Sequence, residues 1–349
     1  MDKAVIPHSR PSLDESDIRA VATAMKSGHL SQGRRVQEFE KRLAGFIGKK
    51  NAAATSSGTA ALHLALLALG IKERDEVIIP SFVCSALLNA VHYTRATPVL
   101  VDIEPLTFNL SADAVKRAVT RKTKAVIVPH LFGCPAQIDR LAELGIPLIE
   151  DCAQAVGATF KGRRVGSVGL LSVFSFYATK VITSGEGGMV LSDSESLISK
   201  IKDLRDYDNK NDYLLRYNYK MNDIQAALGL SQLARLDEFI ARRREIATLY
   251  FREFKNCHFS LPLWKEENEH IYYRFVVRIE EKASVYLEKI QQKKVQARRP
   301  VHIPLHVYMH LSGFPRTMAA WQKLLSIPLY PSLKDKETKK IIAVVKDIF

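Results

Sequence analysis

A lysine stands just past an apolar, strand-like run in Ser175-Phe176-Tyr177-Ala178-Thr179-Lys180, and the glycine-rich turn Gly185-Glu186-Gly187-Gly188 follows it. An amine placed there is poorly solvated, and desolvation favours its neutral form. A neutral Lys180 can attack an aldehyde or ketone carbon and form a Schiff base. The turn is not a P-loop, because no Gly-Lys-Ser/Thr closes it. A second segment, Thr55-Ser56-Ser57-Gly58-Thr59-Ala60-Ala61-Leu62, opens an Ala/Leu-rich helix. Gly58 admits a ligand close to the backbone, and Thr59 offers an N–H and a hydroxyl where the helix dipole is positive, which makes a phosphate cradle. A Ser or Thr in this place also serves as a plain N-cap. In the third segment, Ile149-Glu150-Asp151-Cys152-Ala153-Gln154, an acidic pair follows an apolar strand. Asp151 at a sheet's carboxyl edge can keep a ring nitrogen protonated, and Gln154 can bond a ring hydroxyl. No second acid or histidine cluster accompanies them in sequence, so no metal site is expected. A Schiff-base lysine, a ring-nitrogen acid and a phosphate cradle are what a protein must supply to pyridoxal phosphate (PLP).

Positioning these groups takes an α/β scaffold. Strands are expected at 76–79, 97–101, 125–128, 147–150, 171–176 and 188–191, with helices at 59–69, 85–91, 112–119 and 137–144. Short β-rich runs separated by helical stretches predict a mostly parallel sheet flanked by helices, with ligands at the carboxyl ends of the strands. From Ile224 to about Phe254, apolar residues at 3–4 spacing predict one long amphipathic helix, with Arg242-Arg243-Arg244 on its solvated face. Beyond it, a strand at 272–279 and a helix at 283–293 suggest a small α+β unit. The chain divides on this reading into a large domain, 1–245, and a small C-terminal domain, 246–349.

The 349 residues are 47% hydrophobic and 25% charged, which excludes intrinsic disorder. Lys plus Arg number 51 against 37 Asp plus Glu, a net charge of +14 that calls for an anionic partner. Zinc-finger spacing and RNP-like aromatic motifs are missing, so that anion is expected to be a small molecule and not a nucleic acid. Met1-Asp2-Lys3-Ala4-Val5-Ile6-Pro7-His8 contains no secretory apolar run, and the longest apolar stretch, Ala60 to Ile71, is too short to span a bilayer. Cys84, Cys134, Cys152 and Cys257 are widely spaced and form no CxxC pair. They read as reduced thiols in a cytoplasmic protein.

The chain resembles the DegT/DnrJ/StrS family of sugar aminotransferases. The resemblance covers nearly the whole sequence: Leu30-Ser31-Gln32-Gly33 with Phe39-Glu40, Ser57 through Leu62, Val77-Ile78-Ile79-Pro80-Ser81, Glu150 through Gln154, Ser175 through Lys180 with Gly185 through Gly188, Asn218 through Ala227, Pro304-Leu305-His306 and Leu325 through Pro331. It implies a PLP fold-type I architecture in which Lys180 carries the cofactor and moves the substrate proton. Asp151 would hold the pyridinium and Gln154 the ring or its 3-hydroxyl, while Gly58, Thr59 and Ser175 would bind the phosphate. Asn218 would reach the phosphate in a neighbouring subunit, giving a homodimer with shared active sites. The implied reaction moves an amino group from glutamate to a nucleotide-linked keto sugar; a keto-cyclitol substrate, or a non-catalytic regulatory role on the same fold, are the alternatives. This sequence departs from the family at Cys84, where a ring-stacking aromatic is usual and Phe82 is the nearest substitute. It departs also at Arg216, Lys220 and His302. Arg216, Lys220 and the Arg298-Arg299 pair are the cations expected to meet a diphosphate.

Overall fold

The computed structural model describes residues 5–262 and 268–349; the Met1–Ala4 part of the amino-terminal reading lies outside them. Its strands are β1 (Asn51–Thr55), β2 (Glu76–Pro80), β3 (Thr97–Val101), β4 (Thr123–Pro129), β5 (Leu148–Asp151), β6 (Thr159–Phe160), β7 (Arg163–Arg164), β8 (Leu171–Ser175), β9 (Gly188–Ser192), β10 (Phe259–Ser260), β11 (Asn268–Glu269), β12 (Phe275–Ile279) and β13 (Leu324–Ile327). The main sheet has the order β1-β9-β8-β5-β4-β2-β3. β2, β3, β4, β5 and β8 pair in parallel, and β9 runs antiparallel to both β8 and β1. The Val/Ile/Ala-rich strands lie between two apolar cores. One gathers Leu62, Ile79 and Val173, and the other Phe39, Phe174 and Met189, which is why these strands read as continuous apolar runs.

Register brings the sequence motifs to one edge. Thr55 pairs with Gly188 and Gly188 with Ser175, while Asp151 pairs with Val173 on one side and Pro129 on the other. The ends of β4, β5 and β8 and the start of β9 therefore lie side by side. The helix Gly58–Ala68 begins beside them.

The expected single helix at 224–254 is two helices, Asp223–Ala234 and Leu236–Glu253. Arg235 sits between them at φ −108°, ψ 11°, with its guanidinium paired to Asp14 and Asp17. That ion cluster from another helix holds the bend, and an apolar period cannot reveal it. Arg243 corrects the solvated-face reading as well. It is buried, and one guanidinium nitrogen donates to the carbonyls of Tyr272 (3.3 Å), Tyr273 (3.2 Å) and Leu329 (3.1 Å).

A separate core assembles around the sheet β10-β12-β13, joining Ile246 and Tyr250 to Phe275, Leu325 and Ile341. Ile6 belongs to this core and bridges to Val295, so the amino-terminal strand lies on the carboxyl-terminal unit. Among the described residues, no helix is long and apolar enough to cross a membrane, and no disulfide links the four cysteines.

Candidate active site

The helix Gly58–Ala68 starts with Ser57 as N-cap; its hydroxyl accepts from the Ala60 N–H at 3.1 Å, and its carbonyl accepts from Ala61. Ser57, and not Thr59, thus does the capping. The N–H groups of Gly58 and Thr59 lie in the first helical turn, where no preceding carbonyl is in place to accept them. A Cβ on Gly58 would stand 2.8 Å from the Cβ of Ser175 and 3.1 Å from its Oγ. Two backbone donors and a hydroxyl thus converge on a space that only glycine leaves open, with the helix dipole adding its positive end. Gly188 is held to glycine for the same reason, because a Cβ there would meet the Ser57 carbonyl oxygen at 2.3 Å.

Asp151 ends β5 and is buried, and its Oδ1 accepts from the Ala153 N–H at 3.0 Å. Burial pushes its carboxyl above the usual range, against the pull of that N–H, of Lys180 and of His130. A buried carboxylate with no ion-pair partner among the described residues is a poised acceptor for a cationic N–H. Behind it, Glu150 spends both oxygens within the protein. They accept from His130 Nε2 (3.0 Å), Gly166 N (2.8 Å), Val168 N (2.9 Å) and Gly169 N (2.5 Å). His130 Nδ1 accepts from Ala136 N–H, so the ring is the neutral, Nε2-protonated tautomer. These bonds hold the Glu150 carboxyl below its ordinary range despite its burial. His130, Glu150 and Cys152 offer three ligand atoms close together, but those of His130 and Glu150 are consumed by these bonds. His130 is thus a structural histidine.

Lys180 is half-buried on the loop after β8. The backbone of Phe176 closes both ends of that loop: its N–H donates to Gly187 O, and its carbonyl accepts from Ser184 N, each at 2.9 Å. The Lys180 ammonium lies over the ring of Tyr273, 5.6 Å from its centroid, and interacts electrostatically with Asp151 and Cys84. Cys84 is solvent-accessible although protein surrounds it closely, as for a side chain lining a cleft; desolvation pushes its thiol up. Phe82 does not substitute for the missing aromatic. It is fully buried and packs against Phe108 and Phe132 at 6.4 Å, which commits it to the core.

Gln154 Oε1 accepts from the Phe132 N–H at 2.8 Å, which leaves its amide N–H groups as what it can offer a ring oxygen. Asn218 is exposed, between the stacked rings of Tyr217 and Tyr219, and the Tyr219 carbonyl accepts from Ser56 N at 2.7 Å. The Asn218 segment is therefore tied to the phosphate cradle. Of the motif residues, Asp223 is structural: its carboxylate accepts from the N–H groups of Gly33, Arg35 and Val36 and caps the helix Arg34–Ile47. His306 is structural too, bonded to Ser81 Oγ at 2.6 Å and stacked on Phe314.

Two expected anion contacts are spoken for. Arg216 is paired with Asp203 and Asp212, and Lys220 with Asp206 and Asp208. Sequence reasoning missed Tyr273 and Arg274, which reach the site from the far end of the chain. Ile271 N donates to Gly133 O and Arg274 N to Phe132 O. Gly133 sits at φ +88°, and a Cβ there would stand 2.9 Å from Tyr273 N, so this glycine is what lets the segment close in.

A mostly parallel sheet whose carboxyl edge joins a lysine loop, a buried acid and a glycine-opened helix N-terminus defines a PLP enzyme of the fold-type I class. The chain belongs to the DegT/DnrJ/EryC1/StrS aminotransferase family, whose model matches residues 11–346. It is 35% identical over 367 residues to the GDP-perosamine synthase of Vibrio cholerae, covering 99% of both chains. The aminotransferase TlmJ from Streptoalloteichus hindustanus superposes with a TM-score of 0.94 at 30% identity, covering 98% of each chain. The PLP form of Spr1654 from Streptococcus pneumoniae superposes at 0.92 and 26% identity, over 99% of this chain and 100% of that one. The protein is a PLP-dependent aminotransferase.

Proposed function

We propose that this enzyme transfers an amino group from glutamate to a keto sugar carried on a nucleoside diphosphate, with Lys180 as the attachment point and proton carrier. PLP supplies an electron sink for the charge left on the substrate carbon. Gly58, Thr59 and Ser175 would hold its phosphate, Asp151 its ring nitrogen and Gln154 its ring oxygen. The Lys180 amine, on a loop closed by Phe176, takes a proton from one substrate atom and returns it to another.

The observation that carries the substrate reading is a cavity of about 920 Å3 lined by Arg274, Arg298, Arg299, His302 and Trp321. Among the described residues, none of the three arginines forms an ion pair. Arg274 contacts the His8 ring, which burial, Arg274 and Arg298 keep well below its ordinary pKa and so neutral, and Arg299 lies 4.5 Å from the Trp321 ring centroid. Unpaired guanidinium groups beside an indole suit a diphosphate joined to a flat base. The Vibrio cholerae relative is named for a GDP sugar, which supports the same reading.

A homodimer with Asn218 reaching the partner's cofactor phosphate fits the exposed apolar run beside it, where Leu214 and Leu215 are open and Tyr213 is 94% exposed. We assign the enzyme to the cytoplasm, and four cysteines that form no disulfide among the described residues support that. The division into 1–245 and 246–349 is proposed on the change of core between Ile240 and Ile246. Incubation of the PLP enzyme with glutamate and a panel of nucleoside-diphosphate keto sugars, followed by mass, tests the function. An amino-sugar nucleotide is the expected product, and turnover confined to free keto sugars or cyclitols would overturn the reading.

A further inference from the structure

Tyr273 is buried, yet three cations face its ring: Arg274 at 5.0 Å, Lys180 at 5.6 Å and Arg243 at 5.9 Å from the centroid. Among the described residues, none of the three has a carboxylate in direct contact. Arg243 is bonded to carbonyls, Arg274 to the neutral His8, and Lys180 has Asp151 only as a longer-range partner. The phenol also hydrogen-bonds Thr179, next to the lysine. The groups around this pair are thus Lys180 and Thr179 from the loop after β8, Arg243 from the helix Leu236–Glu253, and Arg274 from the segment before β12. Lys180 also interacts electrostatically with Asp151 from β5 and Cys84 beyond β2. A cluster this rich in buried positive charge needs a group able to turn negative, and the tyrosine is the titratable group at its centre.

We propose that Tyr273 is a positioning residue that acts as the counter-ion of Lys180, its ring face and phenol oxygen holding the lysine nitrogen in its protonated, cofactor-facing state. The inference rests on the assignment of Lys180 as the attachment point. Burial pushes the phenol up, but Lys180, Arg274, the Thr179 hydrogen bond and Arg243 outweigh it and bring Tyr273 down to about 8. The phenolate is therefore available within the working range of an enzyme, and Tyr273→Phe would retain the ring face while removing only the ionisable oxygen.

The test is the pH titration of the holoenzyme's visible absorption band, which reports protonation at the lysine nitrogen. Losing the phenolate destabilises the protonated form, so Tyr273→Phe moves the midpoint down by about one pH unit. Thr179→Val, which removes only the hydrogen bond to the phenolate, gives a smaller shift in the same direction. Tyr177→Phe, on the same loop with its ring exposed, leaves the midpoint in place. An unmoved midpoint in both Tyr273→Phe and Thr179→Val overturns the proposal and reduces Tyr273 to packing. Failure of the underlying assignment looks different: Lys180→Ala would then keep the wild-type band.

Discussion

The cofactor side of the site is built from neutral donors and balanced charges, whereas the arginines of the carboxyl-terminal side form no ion pair among the described residues. Gly58, Thr59 and Ser175 offer backbone N–H groups and hydroxyls, and the nearby cations Arg205, Arg216 and Lys220 are each neutralised by carboxylates. Among the described residues, Arg274, Arg298 and Arg299 are in no ion pair, although Glu288 also lines their cavity. On the proposed assignment the cofactor phosphate would be gripped by groups already in place, which suits a resident ligand. A substrate that arrives and leaves would be met by long cationic side chains, whose attraction reaches further and weakens with salt.

The contrast can be broken in graded steps. Lys180→Ala removes the one group that both sides address. Turnover should fall by about 10^4-fold or more, with loss of the visible band, measured by product formation and spectrophotometry. Asp151→Asn keeps the shape of the cofactor side but removes its charge. A fall in kcat on the order of 10^3-fold is expected, with little change in substrate KM. Arg298→Ala with Arg299→Ala addresses the other side only. KM for the nucleotide sugar should rise about 10- to 100-fold with kcat nearly kept, and the defect should shrink as salt is raised. A rise in kcat-limiting steps instead of KM would place these arginines nearer the chemistry.

Smaller effects sharpen the comparison. Glu150→Gln leaves a saturated, buried carboxylate site short of one acceptor charge and should cost about 1–3 kcal/mol in denaturant unfolding. Because the folded carboxyl lies below its ordinary value of 4.5, wild type should hold this contribution above that pH and lose it as pH falls through the lower folded value. The smallest effect belongs to Arg216→Ala: its charge is already matched by Asp203 and Asp212, and KM should stay within about twofold. A tenfold rise in that variant would show that the paired cation still meets substrate.

The cofactor side was the readable one. Lys180, Asp151, Gln154 and the Gly58 cradle each sit in a contiguous segment that begins or ends at a strand, so local pattern and chemistry coincide. β1 and β13 escaped notice because Asn51–Thr55 is mostly alanine and Leu324–Ile327 is only a short run among prolines. Tyr273 and Arg274 were hidden for a different reason. Their role depends on backbone bonds to Phe132 and Gly133, partners distant in sequence that no local spacing encodes. Arg243 shows the same limit: three adjacent arginines look alike in sequence, and only packing decides that the middle one is enclosed. The pairing of Arg216 and Lys220 likewise depends on aspartates brought close by the fold.

The bonds from Ile271 and Arg274 onto the Phe132–Gly133 turn also decide how this chain can be recombined. Residues 270–274 form a wall against that turn, although in sequence they fall between β10 and β12 of the carboxyl-terminal sheet. A chimera that exchanges the whole carboxyl-terminal unit at residue 246 would replace that wall together with the arginine-lined cavity, altering chemistry and substrate choice at once. A graft that begins after Arg274 keeps the turn, its glycine and the tyrosine together. It would exchange the rest of the cavity lining, Arg298, Arg299, His302 and Trp321 included, which makes that seam the place to retarget the enzyme.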